Sequence, residues 1–564
     1  MNSPSLYVLA FGWRISSGIR KFQMGLMTLM AVGAVFNVFF ALRLRDFIDS
    51  PDPVFFNILL LLAMVSIITL VNFICDCGLE ISKRKMQVVM WEKMYSRILS
   101  ANMETFEKRA PGEYMTQVLS DSGYVGAVAG VFIPAIAINV FRFVSYLIAL
   151  FFLSPVLTMV LLLMLPVFYA VYRKHSKEVL SWSAAEREAY SDVMESLRVR
   201  IEGRNTIKSL CAEENALTAF RRDITAWYKR IKSLVIVGRK YAHMYSFLSS
   251  IIPLMLLSAG VYLATADPAL TLGTIVAFFY LSMNVLGPFA TLTTDLGATS
   301  QTYPMVRRVE EILHMPPEYE GTEILERART IELRDVVFSY GDRTVFMGIS
   351  LAFSEGELVG VVGETGCGKS TLLGLLNGFR RPDSGSVLIN DFPVEHYRLR
   401  SIRDRIVLVT SRDVIFPGTV YDNITLWKKH PVEEVLRVAE ISGVLRDFPN
   451  LDEKIGPGAK DISEGQRQRI CLARALLKSP DFLLLDEALS GVDSHLETEI
   501  MENIRRNYPW MGLIVVSHRL STIAQMDRVI VLRDGKVQCD GATNRVMQVC
   551  GEFHRLMERQ MIPA

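Results

Sequence analysis

ELVGVVGETGCGKSTLLGLL, residues 357–376, decides the soluble half of the fold. It joins an apolar, β-rich run to a glycine-rich loop and then to a helix start, with Gly363, Gly368, Lys369 and Ser370 at the spacing G-x-x-x-x-G-K-S and Thr371 next. Glycines at 363, 366 and 368 let backbone amides approach β- and γ-phosphates, Lys369 supplies a point charge, and the Ser370 hydroxyl suits a magnesium ion. The loop, with Glu364, Thr365 and Cys367 between the glycines, is read as the binding site for ATP and Mg2+.

Two further stretches repeat the strand-to-loop plan. In SPDFLLLDEALSGVDS, residues 479–494, a buried strand ends in Asp486, placed to hold a metal-bound water, and Glu487 follows where it polarises an attacking water. In GLIVVSHRL, residues 512–520, a strand leads to His518, placed to meet the γ-phosphate. Asp-Glu pairs and strand-end histidines are common on surfaces. Their order and spacing after the phosphate loop give them a shared purpose.

The first half of the chain reads differently. Apolar residues make up 50% of the 564, the mean hydropathy is +0.27, and the apolar runs concentrate before about residue 300. A helix crosses the hydrocarbon core in about 20 residues. Six stretches meet that length: 22–42, 55–75, 128–150, 155–172, 244–264 and 272–290. The loops after the second and fourth are long, helical in pattern and rich in Lys and Arg, which places them and both termini in the cytoplasm. The N-terminal residues lack a short apolar core followed by a small-residue cleavage site, so the first span is expected to direct the chain to the cell membrane. Arg142, in INVFRFVSYL, residues 138–147, is an ionisable group inside a span, with Asn139 on the same face. It either snorkels to the interface or faces a substrate cavity.

A net charge of +2 argues against a basic nucleic-acid binder, and none is expected as a partner. The seven cysteines are odd in number and lack metal-ligand spacing, and they are expected to be reduced.

Taken together, these motifs resemble the ATP-binding cassette superfamily, as a half-transporter of the exporter type. The resemblance implies a membrane α-helical domain of six spans with long cytoplasmic extensions, residues 1–310, a linker, 311–330, and an α/β phosphate-loop ATPase domain, 331–564. METFEKRAPGEYMTQVLSD, residues 103–121, is similar to the family's first long loop, and IEGRNTIKSLCAEENALTAF, residues 201–220, to its second. The family reading makes Tyr340 the adenine-stacking aromatic and Asp493 part of a loop that meets the opposite domain. It sandwiches ATP between the phosphate loop of one domain and the signature loop of another.

Here the chain departs from the pattern. KDISEGQRQR, residues 460–469, occupies the place of the family's LSGGQ, with Ser463, Gly465 and Gln466 matching and Ile462 and Glu464 differing. A carboxylate about 4 Å from one phosphate charge costs up to roughly 4 kcal/mol at an effective dielectric of 20. Ser411 replaces a glutamine that contacts magnesium, and Pro457 replaces a glutamate that contacts cytoplasmic loops. Intact hydrolytic residues beside an altered signature loop resemble one half of a heterodimer with unequal sites, so a second, different half-transporter is the expected partner. The cargo is expected to be a small or amphipathic solute, lipid or peptide, with export favoured. The alternatives are a homodimeric lipid or drug exporter, an exporter-fold importer of a metal-siderophore, and an ATP-gated membrane protein that pumps nothing.

Overall fold

The computed structural model describes residues 4–50, 53–265 and 270–561. It comprises two compact units, one of Met1–Leu99 with Arg109–Met315 and one of Ser100–Lys108 with Pro316–Ala564.

In the first unit, six helical stretches among the described residues are long and apolar enough to cross a membrane, and each contains one of the expected spans: Pro4–Asp49, Val54–Ser100, Pro111–Leu153, Pro155–His175, Glu213–Ala264 and Leu272–Gln301. Three helices run far past the length a bilayer needs, with 47 residues in Val54–Ser100, 48 in Pro155–Glu202 and 52 in Glu213–Ala264. At about 1.5 Å per residue each is roughly twice as long as a hydrocarbon core about 30 Å thick. Their far halves are rich in charged residues, which is why they continue as solvated helices.

Local chemistry sets the breaks between helices. The Ser154 hydroxyl accepts from the Leu157 amide at 3.4 Å, and Pro155 opens the next helix where no amide donor is needed. Thr271 caps the last span through the Thr274 amide at 3.1 Å, and Asp49 accepts from the Gly273 amide at 2.9 Å. The sequence pattern left residues before 22 unassigned, but Pro4–Ile15 is helical and buries Val8, Phe11 and Gly12. Its Tyr7 hydroxyl donates to Glu310.

The third span starts irregularly, with π-type turns at Gln117–Asp121 and Val128–Phe132. Gly126 and Gly130 there let the chain press against the Val54–Ser100 helix; a Cβ at 130 would lie 2.5 Å from Lys83 backbone atoms. Arg142 sits mid-way along Ile133–Leu153 and donates to Asn72 at 3.3 Å, while its Nε is buried without a hydrogen-bond partner among the described residues. The guanidinium is thus turned to the neighbouring helix.

The second unit is built on two larger sheets, with a two-stranded pair of Gly418–Thr419 and Lys454–Ile455 in addition. The four-stranded one is antiparallel and includes Thr330–Tyr340, Arg343–Ser354 and Ser384–Ile389. In the six-stranded one the order is Lys536–Ala542, Arg528–Arg533, Leu358–Gly363, Gly512–Val516, Phe482–Asp486 and Ile406–Thr410, parallel except at the first pair. Phe482, Leu484, Ile514 and Val361 are buried on one face of this sheet with Leu372 and Leu376, whereas Leu483, Leu485 and Val515 join Ile470 and Leu472 in a second core. Burial on both faces explains why these strands read as unbroken apolar runs. Ser100–Lys108 folds with this unit: Ala101 bridges to Pro317, and Glu318 donates its amide to the Ser100 carbonyl at 2.9 Å.

One expectation is corrected. Cys539 and Cys550 form a disulfide with a Cα separation of 6.4 Å, because the helix Thr543–Val549 folds back beside the strand that carries Cys539. Spacing along the chain gives no sign of that return.

Replacing Gly130 with Leu is expected to separate the two packed segments. Thermal melting of the detergent-solubilised protein should fall by several degrees, as for overpacking of about 1–3 kcal/mol, while Gly25→Leu, at a position with open space around it, leaves melting unchanged.

Candidate nucleotide site

The parallel register decides which residues meet. Thr410 and Val516 both pair with Asp486, so three strands end in one row. Ser411, Glu487 and Ser517 are the next residue on each strand, and His518 follows. A slip of one residue would turn every one of these side chains to the opposite face.

Beside this row the phosphate loop closes tightly. Gly368 caps the helix Lys369–Leu376 at φ 106°, and Gly366 lies at φ 85°, both in the left-handed region that glycine tolerates. A Cβ at Gly363 would stand 2.4 Å from the Leu532 carbonyl oxygen. Lys369 Nζ donates to the carbonyls of Gly363 at 2.8 Å and Glu364 at 3.0 Å, which folds the cation over its own loop.

The result is a cleft of about 850 Å³. Thr365, Gly366, Gly368, Lys369, Ser370 and Thr371 line one wall, and Ser411, Asp486 and Glu487 the other. Not every residue of the loop faces it. Cys367 is buried, which raises its thiol pKa, and with Glu364 and Arg533 it lines a neighbouring cleft. Gly363 contributes its carbonyl to Lys369.

Asp486 is half-buried, and loss of water pushes its pKa up, partly offset by a hydrogen bond from the Ser370 hydroxyl. A desolvated carboxylate beside a hydroxyl is an all-oxygen pair suited to a hard divalent cation. Glu487 is held at φ 52°, unusual for a residue with a side chain, with its amide donating to the Val516 carbonyl at 3.1 Å. This turn presents its carboxylate 3.6 Å from His518 Nδ1.

Tyr340 reaches the cleft from the antiparallel sheet, and its hydroxyl lies 3.2 Å from that of Thr371. Arg380 covers the ring at 5.0 Å and pairs with Glu107 of the Ser100–Lys108 segment. Sequence reading passed over Arg380, Glu107 and Arg343, which also lines the cleft; only Arg343, three residues after Tyr340, had a signal in its position.

Comparison with known proteins agrees with this build. Residues 24–289 match the family described as ABC transporter transmembrane region, and residues 346–490 the family described as ABC transporter. The chain is built as an ABC half-transporter. It is similar to a Desulfotalea psychrophila protein named ATP-dependent lipid A-core flippase, 27% identical over 83% of each chain. The Escherichia coli strain K12 protein of the same name is 26% identical over 84% of this chain and 83% of its own. The Toxin RTX-I translocation ATP-binding protein of Actinobacillus pleuropneumoniae is 27% identical over 85% of this chain and 69% of its own. In fold, the chain is like the solved structure of a bacterial Atm1-family ABC exporter with ATP bound, with a TM-score of 0.84 over 97% of this chain and 100% of that one, at 20% identity. The half-transporter is a multi-pass membrane protein that couples ATP hydrolysis to transport.

The stretch read from the sequence as the signature loop heads the helix Glu464–Leu476 and does not line the cleft described above. Ser463 caps the helix, its hydroxyl accepting from the Gln466 amide at 3.2 Å while the Gln466 side chain accepts from the Ser463 amide at 2.8 Å. The hydroxyl proton stays free to donate outward. Glu464 does not stand bare. Its carboxylate accepts from Arg467 and, at 3.2 Å, from Gln468, and it sits in the first turn, where the helix dipole favours a negative charge. Gln468 also accepts from the Gly491 amide at 2.8 Å. Gly491 makes room for the substitution, since a Cβ there would lie 2.7 Å from Glu464 Cγ. Asp493, two residues on, caps the next helix through the Leu496 amide at 2.9 Å.

Two outcomes follow for this region. In the folded protein Asp486 keeps its proton to higher pH than in the unfolded chain, where its pKa is about 3.9. Its contribution to stability is therefore fully present below that value and lost as pH rises through the folded one. At neutral pH Asp486→Asn should raise the melting temperature of nucleotide-free protein by roughly 2 °C while abolishing hydrolysis; a lower melting temperature contradicts this. Gly491→Ala should cost about 1–2 kcal/mol in melting experiments, and Glu464→Gly in the same chain should restore it.

Proposed function

We propose that the chain pairs with a second copy of itself and uses ATP to carry an amphipathic molecule with an anionic head across the cell membrane, in the direction of export. What carries this reading is a hydrolytic set with Lys369, Ser370, Asp486 and Glu487 on one cleft and His518 3.6 Å from Glu487, together with a signature carboxylate already paired within its own chain.

The pairing changes the expectation of unequal sites. That expectation rests on a bare charge facing phosphate, which decays slowly with distance. An ion pair at a helix N-terminus leaves only a dipole. Nothing in the charge of Glu464 then bars a symmetric dimer, which supports the homodimer over a heterodimer with a different half-transporter.

In the mechanism, Lys369 and the loop amides bind and orient the phosphates, with Ser463 of each copy's signature loop donating to the nucleotide of the other. Glu487 takes the proton of the attacking water, and His518 keeps that carboxylate turned to the γ-phosphate. Ser370 and Asp486 would hold Mg2+, which neutralises phosphate charge. Closure and reopening of the two nucleotide sites move the long helices between inward and outward openings. The Lys- and Arg-rich long loops support a cytoplasmic site for both nucleotides.

For the cargo, support comes from the relatives named lipid A-core flippase and from Arg142, a cation held mid-span beside Asn72. An anionic head satisfies such a group where no carboxylate pairs with it among the described residues.

Purified and reconstituted alone, the chain should hydrolyse ATP, with Glu487→Gln lowering the rate by about 10²-fold or more. Absence of hydrolysis until a different half-transporter is added contradicts the symmetric pair.

A further inference from the structure

The turn after the strand Ile406–Thr410 is braced on every side. The Ser411 amide donates to the Asp486 carbonyl at 3.1 Å, and the Ser411 carbonyl accepts from Arg467 at 3.1 Å. The Thr410 hydroxyl donates to Asp413 at 2.7 Å and accepts from the Arg412 amide at 3.3 Å. This fixes the backbone of Arg412 on the cleft wall, beside Ser411 and opposite Lys369.

Its side chain is exposed and, among the described residues, makes no ion pair or hydrogen bond. Asp413, the nearest acid in sequence, is already engaged by Thr410. Arg412 lines the same cleft as Asp486 and Glu487. The cleft therefore holds an unpartnered guanidinium at the end where Asp486 and Glu487 stand, next to a serine too short to reach across it.

We propose that Arg412 is a ligand of the terminal phosphate, reaching where Ser411 cannot, and that it lets this chain hold ATP with less help from a divalent cation. The inference rests on the ATP-binding reading of the cleft. Guanidinium suits the role, because its planar fork makes paired charge-assisted hydrogen bonds to phosphate oxygens and it stays charged at every working pH. Lys369 already donates two bonds to its own loop, which leaves room for a second cation on a nucleotide carrying several negative charges. Because Arg412 lies at the Asp486 and Glu487 end, it distinguishes ATP from ADP.

The test is equilibrium binding of radiolabelled ATP and ADP to the full-length protein carrying Glu487→Gln, in excess Mg2+ and in EDTA. Arg412→Ala should weaken ATP binding about tenfold in EDTA, less in Mg2+, and leave ADP binding within about twofold. Arg412→Lys should fall between, keeping the charge and losing the fork. Equal losses for ATP and ADP, or no loss for either, overturn the proposal, as does an Arg412→Lys variant no better than Arg412→Ala. Lys369→Ala is the control for the cleft: if it too leaves ATP binding intact, the nucleotide reading fails, not merely the role of Arg412.

Discussion

The constraint on which the rest depends is the register of four parallel strands. Thr410, Asp486 and Val516 end level with one another, and Leu358–Gly363 feeds the phosphate loop from the neighbouring position. A phosphate site needs cations and backbone amides on one side and a base with metal-holding oxygens on the other, within a few ångströms. No single segment supplies both. Strands buried on both faces lock the register through the core, so the position of Glu487 is set by Leu483, Leu485 and Val515 as much as by its own turn.

The same logic applies at Glu464 and Ser411, which read in the sequence as departures from the ABC pattern. Glu464 brings bulk and charge to the signature loop. The bulk is accommodated by Gly491, and the charge by Arg467, Gln468 and the helix N-terminus. Arg467 also holds the Ser411 carbonyl, so the two altered positions, 53 residues apart in sequence, share one side chain. At both Glu464 and Ser411 the chain is held by groups close by.

Much of this was legible in the sequence, for physical reasons. Six apolar runs of spanning length have few alternatives in structure, and a glycine loop between a strand and a helix has fewer still. The row of Asp486, Glu487 and His518 was visible because each closes an apolar run. What escaped reading were partnerships across the fold. The carboxylate of Glu464 looked bare because an i to i+3 pair along a helix competes with solvent, and only packing against Gly491 and Gln468 settles which way the side chain turns. Arg380 over Tyr340 and the Cys539–Cys550 bond join segments with no shared pattern. The short helix Pro4–Ile15 was missed because its apolar residues are too few to resemble a span.

The central claim is that this one chain provides both halves of two equal nucleotide sites. The most direct measurement is the stoichiometry of ATP trapped by the Glu487→Gln protein purified without any other half-transporter. Two occluded ATP molecules for every two chains, released with a single rate, is the predicted result. One ATP for two chains, two distinct release rates, or none trapped would contradict it.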